Sequence, residues 1–465
     1  MRRDLITLDD LTENEIQAIF VLAEDFLKRM TTPEHSHRIR GRDPIAQDFV
    51  LATMFYEAST RTRFSFESAM LRLGGEVLSS ADPRTTSAAK GETMADTVRV
   101  VENYADLIVI RHPWEGAVRV AAEYTDIPVI NAGDGGHEHP TQTLCDLFTL
   151  QQEKGTLKNQ NVLLWGDLKN GRTVHSLVYG LARFGARIIP MPAEGLGLPD
   201  HVIHRLRRDY DCIPIEKKDM GDTRVLDELP VDVVYVTPDK PHQRSLFTDV
   251  GAVEDQHLRT RLPANALAKI DACYVTRLQK ERMTTDETNG DYPTVDTKFL
   301  KGRRYKESRV MHPLPRVSEL GYDLDDDRRA VYFKQAAYGV PVRMALIAAI
   351  LNLKPDILAA KPPARPLAVY RERTFRCPNT QCVTSQETEQ RYLSPRFAIV
   401  PVGNALLLRC AYCEHEITPA LVGTTSSKLV QPNASRMETP PDDIVFFANE
   451  SSAQQAGYRL AGQLA

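Results

Sequence analysis

Short apolar runs separated by helix-length segments constrain this chain most. "FVLATMFY" (49–56), "DLIVIRH" (106–112) and "IPVINAG" (127–133) stand between helical patterns from residue 11 to 150. Alternation of this kind calls for a parallel sheet covered by helices. It resumes at "NVLLWGD" (161–167), runs through a helix from Gly171 to Phe184 and returns to strand at "ARIIP" (186–190). "VDVVYVT" (231–237) and "DACYVTR" (271–277) are further strand candidates, and a helix over "VPVRMALIAAILNL" (340–353) closes the part. The expected fold class is α/β, with two doubly wound parallel-sheet domains. The first covers 1–150 and takes back the helix 340–353; the second covers 151–339. A Pro-rich linker (354–374), a cysteine module (375–418) and a tail (419–465) without an assignable structure follow.

At 465 residues the chain is long enough for two to four domains. Its net charge of -4 gives no general pull toward nucleic acid or an anionic membrane, so any anion site must be local. "MRRDLITLDDLTENEIQAIF" holds no apolar core of signal-peptide length, and no run of about 18 apolar residues follows. The expectation is a cytoplasmic protein with neither nucleic acid nor membrane as partner.

Several segments suit anions. In "ASTRTRFSFESAM" (58–70), Ser59, Thr60 and Thr62 are helix-starting types, and Phe66, Ala69, Met70 and Leu73 recur at helical spacing. Arg61 and Arg63 then occupy a first turn, where the helix dipole disfavours cations unless an anion belongs there. Taken alone, a capped helix with solvated arginines explains the stretch equally. "HEHPTQTLCDLF" starts another helix at Pro140, with Leu144, Leu147 and Phe148 as its buried stripe. His139 and Gln142 stand at its mouth, and "IRHPW" puts Arg111 at a strand end, where ligands of open α/β sheets gather.

"GDLKNGRT" (166–173) has the spacing of a phosphate-binding P-loop, but Arg172 stands where the lysine would be. A guanidinium there suits a carboxylate, which it matches bidentately. "YVTRLQKER" adds Arg277, Gln279 and Arg282 at another strand end, and "MHPLPR" leaves Pro313 and Leu314 with rigid carbonyls able to accept from an NH2 group. Each has a plain reading as a charged loop or a turn.

The seven cysteines are odd in number, and four fall at Cys377-x4-Cys382-x27-Cys410-x2-Cys413. Two short-spaced pairs suit a closed tetrahedral zinc site of four thiolates, structural rather than catalytic. Cys145, Cys212 and Cys273 lie in apolar surroundings and read as packing residues.

Seven motifs in order, "STRTR", "KGETMADT", "RHPWEG", "HPTQT", "GDLKNGRTVHSL", "TRLQKER" and "HPLPR", resemble the aspartate carbamoyltransferase family over 1–355. The resemblance implies an aspartate/ornithine carbamoyltransferase-like fold, with a carbamoyl-phosphate-binding domain at 1–150 and an aspartate-binding domain at 151–339. It implies that carbamoyl phosphate and L-aspartate give N-carbamoyl-L-aspartate and phosphate, a step of de novo pyrimidine biosynthesis, with no catalytic cofactor. By position, Ser59, Thr60, Arg61 and Thr62 would hold the phosphate. Arg111, His139 and Thr62 would face the carbamoyl oxygen, and Gln142 with the carbonyls of Pro313 and Leu314 would hold the carbamoyl NH2. Arg172, Arg277 and Gln279 would grip the aspartate carboxylates. Glu57 matches a glutamate that pairs with the counterparts of Arg172 and Arg282 in a closed state. Lys90, with Ser87 or Thr86, matches a loop reaching a neighbouring subunit's site, which implies a homotrimer with shared active sites. The resemblance also admits a dimer of trimers and a dihydroorotase or regulatory partner.

Ornithine-specific relatives carry a Cys in "HCLP" and a "SMG" stretch for a cationic substrate. "HPLP" and the basic "TRLQKER" here suit a dicarboxylate. Between "GRTVHSL" and "TRLQKER" the chain is about 40 residues longer than a compact member needs, the excess falling at 238–270 beside Arg277. The cysteine module resembles the zinc domain of the aspartate carbamoyltransferase regulatory chain, fused here to a catalytic chain, with one structural Zn2+ per chain.

Overall fold

The computed structural model describes residues 2–32, 43–169, 171–192, 195–214, 231–237, 270–277, 294–301, 305–358, 369–371, 377–387, 392–433 and 443–461. Apart from residue 270, the insertion 238–270 lies outside these.

After helix α1 (Glu13–Thr31) come β1 (Val50–Phe55), α2 (Thr60–Arg72), β2 (Glu76–Ser80), α3 (Met94–Val101), β3 (Leu107–His112), α4 (Ala117–Glu123) and β4 (Val129–Asp134). The four strands pair in parallel in the order β2-β1-β3-β4. Helix α5 (Pro140–Lys154) leads to β5 (Asn161–Gly166), α6 (Arg172–Arg183), β6 (Arg187–Pro192), α7 (Asp200–Tyr210), β7 (Val233–Thr237), β8 (Ala272–Val275) and β9 (Arg309–Met311). These strands make a second all-parallel sheet, ordered β6-β5-β7-β8-β9. Strands β1, β3, β5, β7 and β8 fall inside the apolar runs, and β4 passes the end of its run by one residue. The edge strand β2 is polar and exposed, and β9 has only 3 residues, so neither carries an apolar run.

Helix α8 (Tyr332–Ile350) begins eight residues before the expected 340 and carries Pro341 in its interior. Proline at that point suggests a helix start, because it lacks an N–H and crowds the preceding turn. Burial wins: Val342, Met344, Leu346 and Ile347 are fully covered, and Arg343 donates to the Gly339 carbonyl at 3.0 Å across the disturbed turn.

One apolar core joins α1, α2, α5 and α8 to the inner faces of β5 and α6. Gly180 makes the α5–α6 approach possible. A Cβ there would stand 2.9 Å from Thr143, 3.0 Å from Leu147 and 3.1 Å from Leu8.

The cysteine module carries the sheet β10-β11-β12-β13, built from Val369–Arg371, Arg396–Val402, Ala405–Cys410 and Glu416–Ile417. The tail forms a second small sheet, β16-β14-β15-β17, from Ile444–Phe447, Leu421–Thr424, Leu429–Pro432 and Arg459–Leu460. Its own core holds Leu421, Val430, Val445, Phe447 and Tyr458. The module packs against the first sheet's layer: Glu115 N–H donates to Gln381 O and Val383 N–H to Glu115 O, both at 2.9 Å. Phe397 and Tyr412 share a core with Ile108, Val118 and Ala121.

Gly180→Val should cost about 1–3 kcal/mol by overpacking. Chemical denaturation followed by circular dichroism checks this; an unchanged midpoint would mean that the two helices part freely.

Candidate active site

The carboxyl ends of both parallel sheets supply the residues of the site, where open α/β sheets leave loops and helix N-termini. Strand β1 runs through Glu57 to Ser59, the N-cap of α2. Amides in that helix's first turn have no carbonyl a turn earlier to bond. The Ser59 hydroxyl donates to Thr62 Oγ1 at 3.0 Å, so the proton of the buried Thr62 hydroxyl points elsewhere. Arg61 reaches across to the second sheet, its Nη2 donating to the Leu314 carbonyl at 2.6 Å. Arg63 does something else: it lies 3.7 Å from Glu67 one turn on and covers the Phe64 ring.

Strand β3 delivers Arg111, which is 6% exposed. Its Nη1 lies 3.2 Å from the Ala132 carbonyl and 3.2 Å from His139 Nε2, while Nη2 donates to Glu57 at 2.8 Å. His139 is the N-cap of α5, with its backbone N–H on Ser176 Oγ at 3.0 Å. Gln142 N–H approaches His139 Nδ1 at 3.3 Å. Arg111 and His139 thus stand together beside the β3–β4 ends, each within hydrogen-bond reach of the other. Gly133, at φ +115°, lets them meet: a Cβ would stand 3.1 Å from Arg111 Nη1 and 3.2 Å from His139 Cδ2. Both the left-handed φ and the lack of room require glycine.

From the second sheet, Arg277 follows β8 and is half-buried. Partial burial and the positive charge of Arg277 together lower the Arg61 guanidinium below its ordinary value. Two like charges from two sheets are thus held near each other at a helix N-terminus, which favours an anion. Leu314, at φ +52°, presents its carbonyl from the loop after β9, and Pro313 beside it is half-buried. The Leu314 carbonyl, expected to face an NH2, already accepts from Arg61 and keeps one lone pair for a second donor.

Arg172 is the first residue of α6; its side chain, Gln279 and Arg282 lie outside the described residues. The expected pairing of Glu57 with Arg172 and Arg282 rests on those side chains, whereas the bond from Arg111 holds Glu57 within the first sheet's layer. Ser87 and Lys90 face solvent on a short 3-10 segment.

Asp146 is a residue that reading the sequence missed. It is 2% exposed and accepts from Gln142 Nε2 at 2.8 Å, Gln335 Nε2 at 2.7 Å and the Tyr274 hydroxyl at 3.0 Å. Burial pushes its carboxyl up to about 6, and those hydrogen bonds hold it from rising further. Fixing the Gln142 amide by its NH2 turns the amide oxygen the other way, as an acceptor. Gln335 in turn accepts the His312 N–H at 2.9 Å, which sets the loop before Pro313. Tyr274 stands on β8, three residues before Arg277, which follows that strand. The available signal was an acid four residues after Gln142, inside an apolar helix stripe.

The four cysteines are buried and lie with all sulfurs within 4.8 Å of one another. Cys377 and Cys413 are 3.4 Å apart and Cys382 and Cys410 3.9 Å, against about 3.8 Å for the edge of a tetrahedral zinc–thiolate site. The set fits a closed four-thiolate metal centre.

Three family descriptions match: "Aspartate/ornithine carbamoyltransferase, carbamoyl-P binding domain" over residues 3–152, its "Asp/Orn binding domain" over 222–350, and "Aspartate carbamoyltransferase regulatory chain, metal binding domain" over 372–422. The aspartate carbamoyltransferase catalytic subunit of Thermoplasma volcanium is 40% identical over 354 residues, covering 75% of this chain and 98% of that protein. That of Clostridium botulinum is 41% identical over 359 residues, covering 76% and 99%. The solved catalytic subunit of M. jannaschii aspartate transcarbamoylase superposes with a TM-score of 0.57 at 38% identity, covering 75% of this chain and 98% of that one. The Trypanosoma cruzi enzyme in complex with carbamoyl phosphate and aspartate superposes at 0.57 with 30% identity, covering 74% and 95%.

Inorganic phosphate at a hundred times its Kd should stabilise the protein by about 2.7 kcal/mol, with little effect on Arg61→Ala at the same concentration. Thermal unfolding with and without phosphate reads both; equal stabilisation would remove Arg61 from the anion site.

Proposed function

The chain belongs to the aspartate/ornithine carbamoyltransferase family and is a carbamoyltransferase acting on aspartate, and from that premise we propose how its residues divide the reaction. Carbamoyl phosphate binds at the α2 N-terminus, held by Ser59, Thr60, Arg61 and Thr62. The observation that carries this assignment is that Arg61, in the first turn of α2, reaches the Leu314 carbonyl of the second sheet's loop at 2.6 Å while the positive charge of Arg277 acts on it from the same side. Arg172, Arg277 and Gln279 take the two carboxylates of aspartate, whose uncharged amine attacks the carbamoyl carbon. As the C–N bond forms, negative charge grows on the carbamoyl oxygen, and Arg111, His139 and Thr62 are the donors for it. The C–O bond to phosphate then breaks, the phosphate leaving on Arg61 with the proton lost by the amine. Gln142 and the carbonyls of Pro313 and Leu314 hold the carbamoyl NH2, with Asp146 orienting Gln142. Binding both substrates side by side removes much of the entropic barrier. The product feeds de novo pyrimidine biosynthesis.

The proposed division of labour places carbamoyl phosphate on the layer of 1–150 and aspartate on that of 151–339. Ser87 and Lys90 serve a neighbouring subunit's site in a homotrimer. Exposure of Phe64 and Leu71 on α2 and of Leu78 on the edge strand β2 supports such an interface. The metal at Cys377, Cys382, Cys410 and Cys413 is one structural Zn2+ per chain, a proposal supported by the sulfur spacings. Its role is to hold the module's fold. A cytoplasmic location goes with this reading, since thiolate ligands require a reducing compartment.

Phosphate release from carbamoyl phosphate with aspartate, and not with ornithine, by a chain that sediments as a trimer tests the reading. Arg172→Ala should raise KM for aspartate far more than for carbamoyl phosphate; an equal rise in both would contradict its assignment.

The Asp146 carboxyl is charged above about pH 6, where it accepts all three donors, and neutral below, where one of its oxygens becomes a donor itself. So kcat/KM should fall as pH drops through that value. Asp146→Asn should lower activity at neutral pH on the order of 10²-fold by misplacing Gln142, and flatten this limb. A pH profile of both proteins checks it, and an unmoved acid limb in the variant would contradict the assignment.

A further inference from the structure

Between the catalytic residues and the four cysteines lies a buried cluster of charge that the reaction does not use. Its centre is Arg205 on α7, which is 4% exposed. Nη1 donates to Glu138 at 3.2 Å and to Glu414 at 2.5 Å, Nη2 donates to Asp9, and the guanidinium stacks 4.1 Å above the Tyr179 ring. The three carboxylates come from distant parts of the chain. Asp9 belongs to the N-terminal segment, Glu138 immediately precedes His139, and Glu414 immediately follows Cys413. Glu138 is further fixed through its second oxygen, which accepts the Leu8 N–H at 3.0 Å. Glu414 holds a left-handed backbone at φ +59° and also lies 3.6 Å from His137 and 3.9 Å from Arg119.

His137, Glu138 and Glu414 offer ligand atoms within 4.8 Å of one another, a spacing a metal ion could use. The Arg205 guanidinium already bonds two of the three, so the cation of this cluster is the arginine itself. No other described contact joins the turn of a cysteine pair, the second sheet's layer and the residue before His139 through one side chain. Burial of Arg205 and Glu138 makes the arrangement stringent, because either charge left unpaired there has no water to turn to.

We propose that Arg205 and Glu414 are positioning residues: through Glu138 they set the loop that carries His139, and so couple metal occupancy of the four-cysteine site to ligand occupancy of the active site. When the metal holds the Cys410–Cys413 turn, Glu414 stays on Arg205 and Arg205 stays on Glu138. An active-site ligand that orders His139 favours the same arrangement from the other side, and by linkage each ligand strengthens the other. The inference rests on the reading above that the thiolates hold zinc and that the sheets' carboxyl ends bind the substrates.

The test uses the full-length, zinc-loaded chain. Zinc affinity is measured by competition with a chromogenic chelator, with and without saturating N-(phosphonacetyl)-L-aspartic acid, whose own binding is read by calorimetry. In the unmodified protein the analogue should tighten zinc about fivefold or more. Glu414→Gln leaves all four cysteines and the active-site residues in place; it should still bind zinc and the analogue, with the ratio falling to about one. Arg205→Met should behave likewise, and Arg205→Lys should restore part of the coupling. If Arg205→Met does not fold, Glu414→Gln carries the test. A ratio of one in the unmodified protein, or full coupling in Glu414→Gln, would overturn the proposal. Failure of the unmodified protein to bind zinc or the analogue would instead overturn the functional reading beneath it, and the proposal with it.

Discussion

A carboxylate with no access to water is tolerated only when donors fill its lone pairs, and Asp146 draws those donors from three elements at once. Gln142 comes from its own helix α5, Gln335 from α8 and Tyr274 from β8. Each donor also governs something at the site: an amide oxygen that accepts, the loop ahead of Pro313, and the strand that leads to Arg277. Satisfying one buried charge therefore sets the relative position of groups from both sheets. Partly satisfied, the same network would be worse than an apolar core, because a polar group left unpaired at low dielectric is costly.

Around that anchor the site collects positive charge. The charge of Arg277 acts on Arg61 from the opposite sheet, and Arg111 is held against His139 by the room Gly133 leaves. Cations so close are costly without an anion, and a protein that preorganises them spends no reorganisation when a charged phosphate arrives. The Leu314 carbonyl on Arg61 fills part of that need in the meantime. Farther out, Arg205 joins three acids by the same logic of burial and pairing.

Much of the site was legible because its residues sit where local signals are strong. Apolar runs end at Arg111 and just before Arg277, and Pro140 marks the helix whose mouth holds His139 and Gln142. The cysteine spacing was equally plain, since two short-spaced pairs leave few alternatives to a metal. Arg61 and Arg63 share a helix turn, yet their fates differ because residues two apart on a helix point about 200° apart, one toward the second sheet and one along the surface to Glu67. Asp146 was passed over because the buried stripe read as Leu144, Leu147 and Phe148, and the partners that make an acid acceptable there lie 128 and 189 residues away. The tail's sheet stayed hidden for a related reason, its core being assembled from apolar pieces of two to four residues that only the pairing of separate strands brings together.

By itself the sequence determined the alternation of the buried strands with helices, the ends at which charged residues gather, the metal-binding character of the cysteines and, through seven ordered motifs, the kind of reaction. All of these depend on neighbours within a few residues, where hydrogen-bond geometry and periodicity act. Only the tertiary structure decided that Arg61 meets Leu314, that Asp146 joins α5, α8 and β8, and that Glu414 reaches Arg205. Those are pairings across long stretches of chain, made stable by burial, and burial belongs to the folded whole rather than to any segment of it.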